Sequence, residues 1–293
     1  MKFTTPVAMV DPAFYLPLAR AAEDAGFDSI AVPDSIGYPR ESPSTYPYSP
    51  DGTREFLENK PFVEPMAAIA AMGAVTERIE FHTFVLKMPM RHPVVLAKAA
   101  TSVAALTGDR LVLGVGSSPW PDDYEIVGLP WARRGRRFDE CIDIVRGLAA
   151  GGYFGYTGEF YEFPPLKLNP VPARRLRLAV GGHSDANLRR AARVDGWMAA
   201  GGSFDDVARC IRHIHEERRA LGRGSEPFEV YATTVESFDA DGVRRLEDLG
   251  VTHTAGGFGR FNPYGVAPDP ESLEEKVDNL RRYADDVIAN VRP

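Results

Sequence analysis

A chain of 293 residues with 44% hydrophobic content is long enough to bury a large core, as one large α/β domain or as two smaller ones. Its formal charge of -7 and pI near 5.5 argue against sequence-independent nucleic-acid binding, which needs extensive clustered Lys and Arg. No run of about 18 apolar residues occurs, and the opening MKFTTPVAMVDP lacks the apolar stretch of a signal peptide, so a soluble, cytoplasmic protein with no membrane partner is expected.

Short apolar runs alternate with stretches of helical period. Strands are predicted at Thr4 to Val10, Asp28 to Val32, Arg78 to Val85, Arg110 to Val115, Leu176 to Val180, Asp195 to Ala200, Phe228 to Val235 and Val251 to Ala255. Helices are predicted at Phe14 to Ala25, Val63 to Ala74, Val94 to Leu106, Arg136 to Ala149, Asp185 to Arg193, Asp206 to Leu221, Ala240 to Leu249 and Leu273 to Asn290. Eight βα units without a linker-like break imply a single (β/α)8 TIM barrel over residues 1–293, with a doubly wound sheet as the alternative. Two excursions interrupt the alternation. Residues 35–61, rich in Pro, Tyr and Ser, form an insertion loop too long to be a connector, which reads equally as a mobile lid and as a rigid wall or subunit contact. Residues 151–163, containing YFGYTGEFYEF, read as a β-hairpin laid outside the barrel.

Several kinds of chemistry lack their motifs. Cys141 and Cys210 sit among apolar helical residues and read as core. His213 and His215, two apart on a helix, point to different faces, and neither CxxC nor HExxH occurs, so no metal site is expected. No GxGxxG follows the first strand and no GxSxG elbow exists, which disfavours a Rossmann dehydrogenase or a serine hydrolase.

One stretch is more specific. Leu111 to Leu148 reads LVLGVGSSPWPDDYEIVGLPWARRGRRFDECIDIVRGL: a buried strand, a small-residue loop, an Arg cluster and an amphipathic helix. With RHPVVLAKAATSVAALTGDRLVLGVG before it, and Gly158-Glu159-Phe160-Tyr161, LAVGGHS and LRRAARVDGWMA after it, the chain resembles the bacterial luciferase-like monooxygenase superfamily, in particular its deazaflavin (coenzyme F420) oxidoreductases. The resemblance covers Ala19 to about Ala199 well and the last third weakly. It implies a TIM barrel, a homodimer, and hydride transfer between coenzyme F420 and an organic small-molecule substrate. Two alternatives stay open: an FMN-dependent monooxygenase using oxygen, and a catalytically silent flavin-binding protein.

Such a cofactor needs a flat apolar slot, polar groups for its pyrimidine edge and an anion site for its phosphate. Gly181, Gly182 and His183 end a strand and open a helix, so backbone N–H groups there face an anion, or else make an ordinary tight turn. The resemblance implies a non-proline cis peptide at Phe84-Val85 behind the ring, although Phe84 is larger than the residue usual there. It also places Ser117, Ser118 and Asp122 against the pyrimidine edge or ribityl chain, with Trp120 as a wall or a packing residue.

Asp34 closes the second strand with Ser35 beside it, and the two are the candidate catalytic residues. Asp34 is equally a cofactor ligand or a loop-forming Asp. Related sugar-phosphate dehydrogenases carry a histidine where Ser35 stands, so that base is missing here. His82 reads as a core histidine. The cluster Arg133, Arg134, Arg136 and Arg137 reads as a solvated or ion-paired face. Arg40, Lys87 and Arg91 follow strand ends and are better candidates for an anionic cofactor tail. His253 and Arg260, flanking GGFG, are candidate substrate contacts.

Overall fold

The alternation of short apolar runs becomes eight parallel strands in the computed structural model, which describes residues 1–45, 52–257 and 271–292. They are β1 (Lys2–Pro6), β2 (Ser29–Val32), β3 (Glu80–Thr83, resuming as Leu86–Lys87), β4 (Leu111–Gly116), β5 (Arg177–Gly181), β6 (Gly196–Met198), β7 (Glu229–Tyr231) and β8 (His253–Ala255). Each pairs with the next, and β8 returns to β1 through Lys2↔His253, Phe3↔Thr254 and Thr4↔Ala255. The sheet is thereby closed as a TIM barrel, and among the described residues none of its eight strands is left with an unpaired edge.

Around it lie α1 (Tyr15–Asp24), α2 (Pro65–Gly73), α3 (Pro93–Leu106), α4 (Arg134–Ala149), α5 (Asp185–Ala191), α6 (Phe204–Ala220), α7 (Ala240–Asp248) and α8 (Leu273–Tyr283). Their starts follow local chemistry. Pro65 and Pro93 occupy first-turn positions where a missing N–H costs nothing, and Ser203 with Asp206 forms a reciprocal capping box on α6. The apolar faces pack on the outside of the barrel, where Phe3, Ile30, Phe81, Leu113, Leu178 and Trp197 are fully buried.

Three differences from the sequence reading have physical reasons. The first strand ends at Pro6 rather than Val10, because its ladder to β2 stops at Pro6↔Ala31 and a short turn at Pro12 follows. The loop after β4 contains a short helix, Pro121–Ile126, started by Pro121 and favoured by Asp122 and Asp123 in its first turn. Leu273 to Asn290 is not one uniform helix, since residues 284–288 wind as a π turn.

The hairpin is present as Phe154–Thr157 paired antiparallel with Glu162–Leu166. It is tied to α4: the Glu140 carboxylate accepts from the N–H groups of Glu159 (2.6 Å), Phe160 (3.0 Å) and Tyr161 (3.2 Å). Arg133 and Arg136 pair with Glu159, while Arg137 lies 4.2 Å over the Phe160 ring and Arg134 3.7 Å over Trp131. The Arg cluster is thus spent on structure. Among the described residues, no helix is long and apolar enough to cross a membrane.

Candidate active site at the barrel mouth

The third strand is broken where it reaches the C-terminal mouth. Phe84-Val85 is a cis peptide between Thr83 and Leu86, and the break turns the two side chains to different duties. Phe84 is 41% exposed, a large apolar ring left facing solvent. Val85 packs inward, where a Cβ on Gly116 or on Gly181 would stand 2.9 Å from it. Those two glycines, at the ends of β4 and β5, make room for the Val85 methyls. The outcome is an apolar ledge over the barrel interior.

Two buried ion pairs fix the adjoining segments. Asp34, its side chain 1% exposed, takes a bidentate contact from Arg91 at 2.7 and 2.9 Å and accepts from the Lys87 N–H at 2.8 Å. Burial works against the charge of Arg91, yet the Asp34 and Glu64 carboxylates together hold its pKa above the ordinary value. Lys87 reaches Asp123 at 2.8 Å and lies 4.9 Å over the Trp120 ring, and the Ser118 hydroxyl bonds the same carboxylate. Ser118 itself has φ 65°, so the loop after β4 turns sharply there.

These contacts reassign several expected roles. Asp34 has three donors on its carboxylate and positions the Lys87–Arg91 segment rather than standing free as an acid or base. Lys87 and Arg91 are committed to carboxylates and are not open to an anionic tail, whereas Arg40 is exposed. Trp120 is a packing residue, 5% exposed, with Nε1 donating to the Thr45 carbonyl at 3.3 Å. Ser35 and Ser117 are half-buried at the mouth, and the Ser117 carbonyl accepts from the Tyr124 hydroxyl at 2.6 Å.

The described parts of the 35–61 insertion rest on this same loop. Burial raises the Asp122 carboxyl, but hydrogen bonds from Ser42 and Ser44 and the nearby Arg54 guanidinium bring it below the usual range. Arg54 in turn donates to the Pro39 carbonyl at 3.2 Å and lies 4.9 Å over Tyr38. That docking favours the wall over the lid.

Comparison with known proteins agrees with the barrel. The profile of the luciferase-like monooxygenases matches residues 3–283. The chain belongs to the luciferase-like monooxygenase family. An uncharacterized protein of Mycobacterium tuberculosis is 53% identical over 291 residues, covering 99% of this chain and 100% of the relative. An F420-dependent glucose-6-phosphate dehydrogenase of Nakamurella multipartita is 27% identical over 244 residues, 81% of this chain and 67% of that one. A monooxygenase from Streptomyces bottropensis shares the fold with a TM-score of 0.76 at 19% identity, each chain covered in full.

The turn after β5 adjoins Val85 through Gly181. Gly182 has φ +106°, which asks for glycine, and its N–H donates to the Met198 carbonyl at 3.2 Å. Its own carbonyl accepts from Trp197 Nε1 at 2.9 Å. Gly182 is therefore bonded into the barrel, and its N–H is not free to face an anion. The His183 ring accepts from the Ala200 N–H at 3.0 Å through Nε2, and burial lowers its pKa, so it stands as a neutral spacer.

The interior of the barrel holds residues that sequence reasoning did not bring together. At the N-terminal end, Glu80 is shared by Lys2 (3.3 Å) and Arg177, and Arg177 also pairs with Glu229 at 2.6 Å. Above this ring, Tyr231 stacks on His253 at 4.0 Å and lies 4.9 Å from His82, with its hydroxyl donating to Glu229 at 2.9 Å. His253 thus faces the closed interior, 2% exposed, and not a substrate at the mouth. Arg260 lies outside the described residues. The alternation of polar residues at Lys2, Glu80, Arg177 and Glu229, each opening an odd-numbered strand, was the signal available for the ring.

Proposed function

We propose that the chain is an oxidoreductase of the deazaflavin-using kind, moving hydride between coenzyme F420 and a small organic substrate at the C-terminal mouth of the barrel. The observation that carries the reading is the broken third strand, with Phe84 exposed and Val85 wedged between Gly116 and Gly181. It provides the flat apolar support that a tricyclic ring needs. The similarity to F420-dependent glucose-6-phosphate dehydrogenases adds to it.

In this reading Phe84 and Val85 back the ring, and Ser117, Ser118 and Asp122 border its polar edge. The turn from Gly181 through Gly182 to His183 carries the phosphate, on the donors that follow Gly182. Asp34 holds the Lys87–Arg91 segment beside the ring, and Ser35 is the hydroxyl nearest that carboxylate in sequence. The bound deazaflavin supplies two-electron hydride chemistry. The protein's contribution is to hold donor and acceptor in contact and keep the ledge dry. A second copy of the chain is part of the same proposal, to be checked by the mass in light scattering.

Titration with coenzyme F420 and with FMN, followed by fluorescence, tests the reading. Saturable binding of the deazaflavin with weak or no FMN binding is expected. Tight FMN binding with the deazaflavin ignored would overturn it in favour of the oxygen-using alternative, for which the fold shared with a monooxygenase speaks.

A further inference from the structure

The end of the barrel opposite the mouth carries a second, separate concavity. A cavity of about 320 Å³ opens beneath the strand starts, within the size range of small-ligand pockets. Lys2, Arg174, Arg175 and Arg177 line it together with Glu80 and Asp109, a surplus of cations in a chain whose formal charge is -7.

The carboxylates around it are already engaged. Glu80 bridges Lys2 and Arg177. The two oxygens of Asp109 accept from the backbone N–H groups of Ala173 (3.2 Å) and Arg174 (2.9 Å). Asp195, outside the lining, pairs with Arg175 and accepts from the Leu178 N–H at 3.0 Å. The Arg174 guanidinium, by contrast, makes one long contact of 3.5 Å to the Asp109 carbonyl and pairs with no described carboxylate. Lys2 holds Glu80 only at 3.3 Å with its side chain 44% exposed.

We infer that this cavity is a binding site for a small phosphate-bearing anion, held chiefly by Arg174 and Lys2 above the fixed Arg177, with Arg175 beside them keeping its pair to Asp195. The Arg174 guanidinium offers paired donors that match phosphate oxygens, and the Lys2 ammonium adds a second cation to take another oxygen. Leu111 and Leu176 form apolar walls beside the charges. An anion bound here stabilises the protein by binding the folded state alone. The site lies across the barrel from the mouth, so it stands or falls independently of the cofactor reading.

The test is thermal unfolding of the full-length protein in titrations of sodium phosphate and sodium pyrophosphate, each matched by sodium chloride at equal ionic strength. A saturating rise in Tm with pyrophosphate beyond the chloride control is expected, with phosphate half-saturating at higher concentration. Arg174→Gln should shift half-saturation at least tenfold, Arg174→Lys should recover part of it, and titration of the deazaflavin should be unchanged in both. Arg174 is exposed, so these variants keep the fold, which circular dichroism checks. Lys2→Gln is the second, independent variant. A rise that follows ionic strength alone, or one that persists unchanged in Arg174→Gln and Lys2→Gln, overturns the site.

Discussion

Removing one member of a buried ion pair strands the other in a medium that cannot solvate it. Asp34 is the sharpest case: its carboxylate is almost fully covered and Arg91 supplies two of its three donors. Arg91→Ala should therefore destabilise the fold by about 3 kcal/mol, read as a lower urea midpoint at unchanged slope. Arg91→Lys should recover only part, because an ammonium cannot reproduce the bidentate fork. Gly181 makes the complementary point. An alanine there would stand 2.9 Å from Val85, so the valine must shift and the ledge with it. Gly181→Ala should weaken cofactor binding about tenfold or more in the fluorescence titration while costing about 1 to 3 kcal/mol of stability, the usual range for overpacking. Unchanged affinity would remove the Phe84-Val85 ledge from the binding site.

At the level of elements, the hairpin shows how an insertion is held without joining the main sheet. Three of its backbone N–H groups end on the single carboxylate of Glu140. Glu140→Ala should free them together. Hydrogen exchange across residues 154–166 should speed up by about tenfold or more, equivalent to about 1.5 kcal/mol or more, while the barrel strands keep their protection. Protection lost equally across the barrel would mean that the tether belongs to the global fold. The hairpin was legible from its alternating aromatics, as were all eight strands, because a core-facing strand needs several consecutive residues of one kind. The anchor was not legible, since Glu140 lies 19 residues from Glu159 and looks like any exposed helical glutamate. The same holds at the mouth. Periodicity ran Arg78 to Val85 together as one strand, and only the resemblance to a family marked its break. Asp34 and Arg91, 57 residues apart, carried no local sign of pairing and were read as separate functional groups. Contacts between loops at a barrel mouth are set by closure of the whole ring, which no window of sequence contains.

The molecule as a whole has an acid weakness built into its axis. His82 and His253 are enclosed in the barrel with Lys2 and Arg177 nearby, and burial first, then those positive charges, pulls their pKa values down to about 3 and about 2. Unfolded, each histidine titrates near 6.5, so below that pH the unfolded chain binds protons that the folded chain refuses. Their contribution to stability is complete above about pH 6.5 and is lost as the pH falls from there toward 3. Within that window each neutral histidine removes about 1.4 kcal/mol per pH unit. Carboxylates such as Glu23, which caps the N–H groups of Glu77, Arg78 and Ile79, add an acid loss of their own, so the variant and the parent must be compared. His253→Phe isolates the effect. Phenylalanine keeps the stack on Tyr231 and removes a buried Nε2 that has no hydrogen-bond partner among the described residues, at the expense of one contact to the Thr252 hydroxyl. At pH 7.5 the variant should unfold within about 1 kcal/mol of the parent. Between about pH 6 and pH 4 its stability should fall less steeply, by about 1.4 kcal/mol per pH unit, and the two urea midpoints should diverge as acid is added. Parallel pH profiles would show that His253 is already protonated in the folded barrel, with the charge carried by the Glu80–Glu229 ring below it.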